Sequence, residues 1–336
     1  MRQTQKKVKP KSILTRMQGC HDVYDSATPI WLCYGGNMST AASQHRLGLI
    51  FVGLAALCWS QSGVFARIIS ADLMTLLFWR GLFSGTAVFL FYCISVRRFA
   101  IADFKAVGRP GILVACFSAL SMIAGIGALR FGNVADAMVI YATVPFTTAA
   151  LAYLVFGERT RVSTIVASLV ALLGVMVMML GADWGGALLG KGLAVFMMLG
   201  MAGCSLVMRR HRELPMMLAL ALSAWLVSAV TLGFADPFSV SSQDFMLIGL
   251  FGVFQNAAGL ALYTLGTRRI PAAEATLVAA LEVPFTPLWV WLLLNETPPT
   301  YTLIGGAIVL VALFTHIFGE FKRSGSTTEA EFAPIP

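Results

Sequence analysis

The stretch ALRFGNVADAMVIYATVPFTTAALAYLVFGERT (128–160) determines the fold class of this chain. It holds an apolar run at 134–156, and a helix needs about 20 such residues to cross the core of a bilayer. The run is twice the length of a membrane barrel strand and does not alternate in polarity, which excludes a barrel. The stretch therefore predicts a transmembrane α-helix.

Nine further apolar runs follow Arg46, separated by short polar connectors. The whole chain is 58% hydrophobic and 12% charged, whereas soluble proteins are about 45–50% apolar and about 25% charged. Water-facing surface needs charge and lipid-facing surface does not. We therefore predict an all-α integral membrane protein with ten transmembrane helices, at residues 47–66, 73–95, 111–129, 134–156, 162–180, 187–208, 215–234, 245–266, 272–294 and 302–319.

The basic residues predict the orientation of these helices. With a cytoplasmic N-terminus, 20 of the 24 Lys and Arg lie on the cytoplasmic side, Arg80 lies within a span, and three (Arg67, Arg130 and Lys191) lie outside. The positive-inside rule thus predicts that both termini are cytoplasmic, as expected for a bacterial inner-membrane protein. No recognition motif accompanies the net charge of +8, so nucleic-acid binding is not expected.

The two ends of the chain are polar. We expect residues 1–46 to form a disordered, basic cytosolic tail, since no signal-peptide core follows the basic start. Translation from Met38 is the alternative. Residues 321–336 are expected to form a cytosolic C-terminal tail.

An internal repeat divides the chain. The sequence VPFT occurs at 144–147 and at 283–286, and at this offset of 139 seven of 21 positions are identical over 127–147. The repeat predicts two halves of five helices, 47–181 and 186–320. Because five is odd, the halves must lie in opposite orientations, an architecture that recurs in secondary transporters. The alternative is that two copies of a helical unit merely form a stable bundle.

The repeated stretches resemble the drug/metabolite transporter superfamily, specifically its EamA-type repeat. The likeness rests on 128–160 and on TRRIPAAEATLVAALEVPFTPLWVWLLLNETP (267–298), with ALCWSQSGVFAR (56–67) and FWRGLFSG (78–85) resembling the first two helices. The second copy has Asn295-Glu296 in place of the Gly-Glu that follows the first. The resemblance implies export of a metabolite or an amino acid, or movement of nucleotide sugars or sugar phosphates. It also implies a cavity enclosed by helices 1–4 and 6–9, with helices 5 and 10 outside.

Two charged residues within the spans are the first candidates for function. A charged group in mid-membrane costs about 2.5–3.5 kcal/mol on insertion scales. It is therefore retained only where it has an ion-pair partner, borders a water-filled cavity or has a function. Glu282 lies near the middle of 272–294, and its counterpart in the first half is the polar Thr143. Arg80 lies beside Gly81. The alternatives are a structural hydrogen bond for Glu282, and snorkelling or structural pairing for Arg80.

Other residues could line the same cavity or shape it. The polar candidates could instead hydrogen-bond to neighbouring helices, and the prolines would free backbone carbonyls. The polar and aromatic candidates are Gln61, Tyr141, Gln255, Asn256 and Trp59, the prolines are Pro145, Pro284 and Pro287, and Glu158 and Glu296 are expected to cap or pair at helix ends.

The sequence contains no P-loop, zinc-protease or nucleophile-elbow motif and no C-x-x-C pair, so no enzyme, metal or cofactor is predicted. We therefore expect a secondary transporter, an exporter of a small metabolite or amino-acid-like compound, that works by alternating access with protons as a possible coupling ion. A nucleotide-sugar or sugar-phosphate exchanger is an alternative of the same fold. An intramembrane enzyme or a receptor subunit is an alternative of another class.

Overall fold

The computed structural model describes residues 38–97, 103–157, 162–180, 187–211, 215–270 and 272–331. Most of these residues are helical and none forms a β-strand, which confirms the all-α prediction. Residues 45–336 form one compact unit, and the packing described below is that of this unit.

The elements follow one another with short connections. They are α1 (Met38–Ser60), α2 (Ser62–Ile68), α3 (Leu73–Val96), α4 (Phe104–Phe131), α5 (Val134–Tyr141), α6 (Val144–Phe156), α7 (Val162–Leu180), α8 (Ala187–Arg210), α9 (Met216–Leu232), α10 (Ser242–Leu250), a π-helical segment (Phe251–Ala258), α11 (Gly259–Thr267), α12 (Ala272–Ala279), α13 (Glu282–Leu294) and α14 (Thr300–Glu331).

The first and last helices extend beyond the predicted spans. Helix α1 begins inside the segment predicted as a polar tail, and α14 continues into the predicted C-terminal tail. A helix satisfies its backbone hydrogen bonds internally, so it can pass from bilayer to water without a break. Residues 1–37 and 332–336 lie outside the described residues, and the disorder expected at 1–37 stays a prediction.

Within the described part of the chain, seven helical stretches are long and apolar enough to cross a membrane: Ser43–Ile68, Leu73–Val96, Phe104–Phe131, Val134–Phe156, Leu188–Arg210, Ser242–Thr267 and Thr300–Gly319. Each coincides with a predicted span. The three other predicted spans coincide with shorter apolar helices, Ile165–Val177, Met216–Leu232 and Glu282–Leu294. Of these, α9 has 17 residues and covers about 26 Å, less than a bilayer core of about 30 Å, whereas α7 has 19 residues in all and Glu282–Leu294 is the second part of a broken span. Ten complete spans therefore stay a prediction.

Two predicted spans are broken at the same point of the repeat. Helix α5 ends at Tyr141 and α6 begins at Val144, while α12 ends at Ala279 and α13 begins at Glu282. Each break precedes a Val-Pro-Phe-Thr sequence. Proline lacks an N–H and disfavours helical backbone in the residue before it, which explains why both copies break there. Broken helices at membrane depth are tolerated where they line a cavity or are buried in protein.

A third predicted span, 245–266, contains the π-helical segment between α10 and α11. A π-helix closes its hydrogen bonds over five residues instead of four, so its turn is wider than that of an α-helix. Such turns are frequent at functional sites. Phe251 and Gln255 of this segment are buried.

Close helix packing holds α3 against α9. A Cβ atom on Gly81 would lie 2.5 Å from the carbonyl oxygen of Ala224, so only glycine fits at this crossing. Small residues allow such close approach between helices in membranes. The contact fixes the part of α3 that carries Arg80. Helix α4 packs along α8 and α7 packs along α14.

Candidate functional site

A cavity of about 330 Å³ lies among the helices. The residues that line it come from the first to fourth and the sixth to ninth predicted spans. Of the described residues in 162–180 and 302–319, none lines it. The cavity therefore draws on both halves of the repeat.

Six of the residues singled out in the sequence line this cavity, and they come from five predicted spans. They are Trp59, Arg80, Tyr141, Gln255, Asn256 and Glu282. Sequence positions as far apart as the first and ninth spans thus meet around one space.

Arg80 is a buried cation at this cavity, with 5% of its surface exposed. One terminal nitrogen donates to Oε1 of Gln255 at 3.1 Å, and the other contacts the sulfur of Met122 at 2.6 Å. The guanidinium carbon lies 4.4 Å from the ring centroid of Phe251, within the range of a cation–π contact. Its Nε finds no hydrogen-bond partner, and no carboxylate of the described residues pairs with it.

The π-helical segment provides the groups around Arg80. Phe251 and Gln255 lie four residues apart on it, and both contact the guanidinium. The amide nitrogen of Gln255 also donates to the carbonyl oxygen of Trp59 at 3.1 Å. Asn256 donates to the hydroxyl oxygen of Ser84. The segment thus ties α3 and α1 to the same side of the cavity.

Glu282 is the first residue of α13 and lies directly after the break in the ninth predicted span. Its carbonyl oxygen accepts a hydrogen bond from the hydroxyl of Thr286 at 2.8 Å. Its side chain lines the cavity. Among the described residues, no side chain forms a hydrogen bond or ion pair with its carboxylate.

Other predicted residues lie away from the lining. Gln61 occupies the break between α1 and α2. Thr143, in the break between α5 and α6, donates from its hydroxyl to the carbonyl oxygen of Ile140 at 2.7 Å. Pro145 lies in the first turn of α6, whereas Pro284 and Pro287 lie in α13. None of these five residues borders the cavity.

Of the two acids predicted at helix ends, the structure describes Glu296. Glu296 accepts a hydrogen bond from Arg67 at 2.8 Å in a partly exposed ion pair. Arg67 also donates to the carbonyl oxygens of Arg130 and Gly132, at 3.0 and 2.7 Å. Glu158 lies outside the described residues.

Sequence reasoning missed a buried ion pair between the two predicted halves. The Lys191 ammonium lies 3.2 Å from a carboxylate oxygen of Asp136, and these residues are 5% and 4% exposed. Thr302 donates to the other carboxylate oxygen. A third link joins Nε2 of His45 to Glu274 at 2.7 Å, with the histidine side chain 44% exposed. The presence of an acid early in each broken span was the available signal.

Sequence reasoning also missed the sulfur-rich wall of the cavity. Five methionines line it: Met122, Met138, Met197, Met201 and Met208. Methionine is unbranched and polarizable, so it adapts to ligands of irregular shape. The remaining lining is largely apolar, apart from serines such as Ser118 and Ser223, whose hydroxyls lie 3.1 Å apart.

Comparisons with known proteins agree with this architecture. The model of the EamA-like transporter family matches residues 46–180 and 188–318, one match in each predicted half. A solved structure titled "Crystal structure of protein" matches with a TM-score of 0.55 and 17% identity, covering 82% of this chain and 97% of the other. At that identity the likeness concerns the fold alone. No curated protein matches the chain.

The two family matches together cover most of the chain, and they repeat at the spacing of the internal repeat. The apolar helices are those of a protein that crosses the membrane several times. This chain belongs to the EamA-like transporter family, and it is therefore a multi-pass membrane transporter of the drug/metabolite transporter superfamily.

Proposed function

We propose that the protein is a secondary transporter that exports a small metabolite or amino-acid-like compound by alternating access. The observation that carries the proposal is the shared cavity, in which Arg80 from the first half and Glu282 from the second lack a carboxylate or cationic partner among the described residues. Buried charges without partners are costly in a membrane, which makes them functional candidates.

The packing supports an arrangement of ten spans as two inverted halves. Equivalent spans of the two halves contact each other: the second and seventh through α3 and α9, the fourth and ninth through α5 and α13, and the fifth and tenth through α7 and α14. This pattern is expected when a two-fold axis relates the halves. In such transporters the substrate site lies between the repeats, near discontinuous helices. The breaks before Val144 and before Glu282 fit that description.

The polar links between the halves support alternating access. In the predicted topology, with both termini cytoplasmic, Asp136–Lys191 and Arg67–Glu296 lie at the outer end, and His45–Glu274 lies at the cytoplasmic end. Asp136 and Glu274 begin equivalent broken spans, and their partners begin the sixth and first spans. Each end thus has a link whose opening would admit solute from that side.

Glu282 is the proposed coupling residue. A carboxylate in a bilayer is costly while it carries a charge, and either a proton or a cationic substrate group removes that cost. Exchange of one for the other at Glu282 would couple transport to protons. The site lies in the inner membrane of a bacterial cell in this proposal.

The cavity argues against a nucleotide-sugar or sugar-phosphate exchanger. Phosphate groups are commonly bound by several Arg or Lys side chains. Arg80 is the single cation among the described lining residues, and Glu282 would repel a phosphate.

Reconstitution tests the proposed function. Proteoliposomes with the purified chain, loaded with a metabolite extract, should release a defined subset of compounds faster than protein-free liposomes. A Gly81→Leu protein is the matched control, because a large side chain would separate α3 from α9 at the cavity wall. Identical release from all three preparations would refute the proposal.

A further inference from the structure

We propose that the cavity side of α8 binds a soft monovalent metal ion, copper(I), through the sulfur atoms of Met201, Cys204 and Met208. All three residues line the cavity. The inference goes beyond the proposed transport function, because a metal ion on this wall is detected by binding alone.

Four sulfur-bearing side chains of α8 border the cavity, namely Met197, Met201, Cys204 and Met208. They are four, three and four residues apart, and residues at such spacings lie on one face of a helix. Thiolate and thioether sulfurs are soft ligands, which favour copper(I), zinc and iron–sulfur clusters over hard cations. One face of a single helix thus brings the ligand atoms of a soft metal ion to the cavity.

Two of these sulfurs are in direct contact. Sγ of Cys204 donates to Sδ of Met208 at 3.6 Å. A buried cysteine usually packs as a small apolar residue, yet this thiol meets a second sulfur at a cavity wall. Two metal–sulfur bonds of about 2.3 Å, the length found for zinc, span this 3.6 Å separation at an S–metal–S angle of about 100°. The two sulfurs are therefore spaced as two ligands of one metal ion.

Met201 supplies the third ligand. It lies three residues before Cys204 and seven before Met208, on the same face of α8. Methionine is unbranched and has three rotatable bonds, so its sulfur can turn towards an ion held by the other two. One thiolate and two thioethers then form an all-sulfur site.

The same wall does not suit zinc or a hard cation. Structural zinc sites use four ligands, mainly Cys and His, and among the described residues no three His, Cys, Asp or Glu side chains are grouped to hold a metal ion. Calcium and magnesium take oxygen ligands, and Glu282 is the one carboxylate among the described lining residues. The ligand set therefore selects a soft ion that accepts thioethers.

The charge balance favours a monovalent ion. Binding replaces the thiol proton of Cys204 by the metal, and that proton leaves to the water that brings the ion into the cavity. Copper(I) carries the same single charge as the proton, so the net charge of the wall does not change. A divalent ion would add a positive charge to a cavity that Arg80 also borders, and like charges repel strongly away from bulk water.

Competition with a chromogenic copper(I) chelator tests the site. The full-length protein in lipid nanodiscs is titrated, without oxygen, into the copper(I) complex of bicinchoninate, and the loss of colour gives the number of ions bound and their Kd. Wild type should bind one ion more than Cys204→Ala. Met208→Leu and Met201→Leu keep the side-chain volume and remove the sulfur. Each should raise the Kd of that ion about tenfold or more, since even groups that only orient metal ligands are worth about that factor.

Matched controls lie elsewhere in the chain. Cys116→Ala and Met176→Leu replace an exposed cysteine of α4 and an exposed methionine of α7, and neither residue lines the cavity. Both variants should bind that ion with the wild-type Kd. X-ray absorption at the copper edge, on protein loaded with one equivalent, should show sulfur ligands alone, and an equal amount of zinc should not displace the copper.

Equal copper(I) binding by wild type and Cys204→Ala would overturn the inference, as would an unchanged Kd in both leucine variants. Nitrogen or oxygen ligands at the copper, or displacement by zinc, would do the same. If Cys204→Ala fails to fold, the leucine variants still distinguish a sulfur site from a packed apolar wall. The transport proposal is judged separately by release from proteoliposomes, which these titrations do not measure.

Discussion

The ammonium group of Lys191 lies 3.2 Å from the carboxylate of Asp136, and both residues are almost fully buried. The pair joins α5 of the first half to α8 of the second. Its position makes it both a structural link and an element that has to separate if the halves move apart at this end.

Removal of one partner of this pair should destabilise the protein strongly. Asp136→Asn leaves the Lys191 charge buried without compensation, and breaking a buried pair costs about 3–5 kcal/mol. We expect a large fall in Tm in nanodiscs. The double variant Asp136→Asn/Lys191→Met removes both charges and should recover much of the loss. A double variant as unstable as the single one would show that the charges themselves do not cause the effect.

Replacement of Glu282 by Gln should abolish transport or its pH dependence. The substitution keeps the size and much of the hydrogen bonding but removes the titrating group. Insertion and Tm should stay close to wild type, because the carboxylate bonds to none of the described side chains. Flux at several pH values in proteoliposomes is the measurement. An unchanged rate and pH profile would reduce Glu282 to a packing residue.

Both ends of the chain should report from the cytoplasm. We expect this because 20 of the 24 basic residues lie on the cytoplasmic side in the ten-span topology. A C-terminal fluorescent reporter that matures only in the cytoplasm should fluoresce. The same reporter after Pro298, which removes the last span, should not. If only the shorter fusion fluoresced, the predicted orientation of the spans would be wrong.

Deletion of residues 2–37 should leave insertion and transport intact. This segment is polar and basic and lacks the apolar content to form a core. The measurement is flux per inserted molecule, with expression followed by a C-terminal tag. Lost flux at unchanged expression would show that the segment belongs to the site or regulates it.

The sequence predicts the all-α class and singles out Glu282 for a shared physical reason. Lipid admits few charges, so long apolar runs and a carboxylate within one of them are both conspicuous. Gln61 and Thr143 were equally polar, but each lies in a helix break, where the hydroxyl of Thr143 donates to the carbonyl oxygen of Ile140. Polarity alone does not tell a cavity from a break.

The features that the sequence did not predict depend on contacts between distant helices. Lys191 was counted among the three basic residues on the outer side, yet it pairs with a residue 55 positions earlier. The π-helical turn at Phe251–Ala258 contains no proline that would predict a departure from α-helix. Phe251 and Gln255 contact Arg80 because both lie on the side of the turn that faces α3. Such relationships are fixed by packing and leave no periodic pattern.

The methionine wall has a consequence for oxidative stress. Peroxide or hypochlorite converts a thioether to a sulfoxide, which is polar and chiral, and cellular reductases can reverse the change. Five such sulfur-bearing side chains border one space in this protein, and Met122 also contacts Arg80. Oxidation at this wall would turn an apolar lining into one that competes for the guanidinium. The capacity for transport would then follow the redox state of the cell.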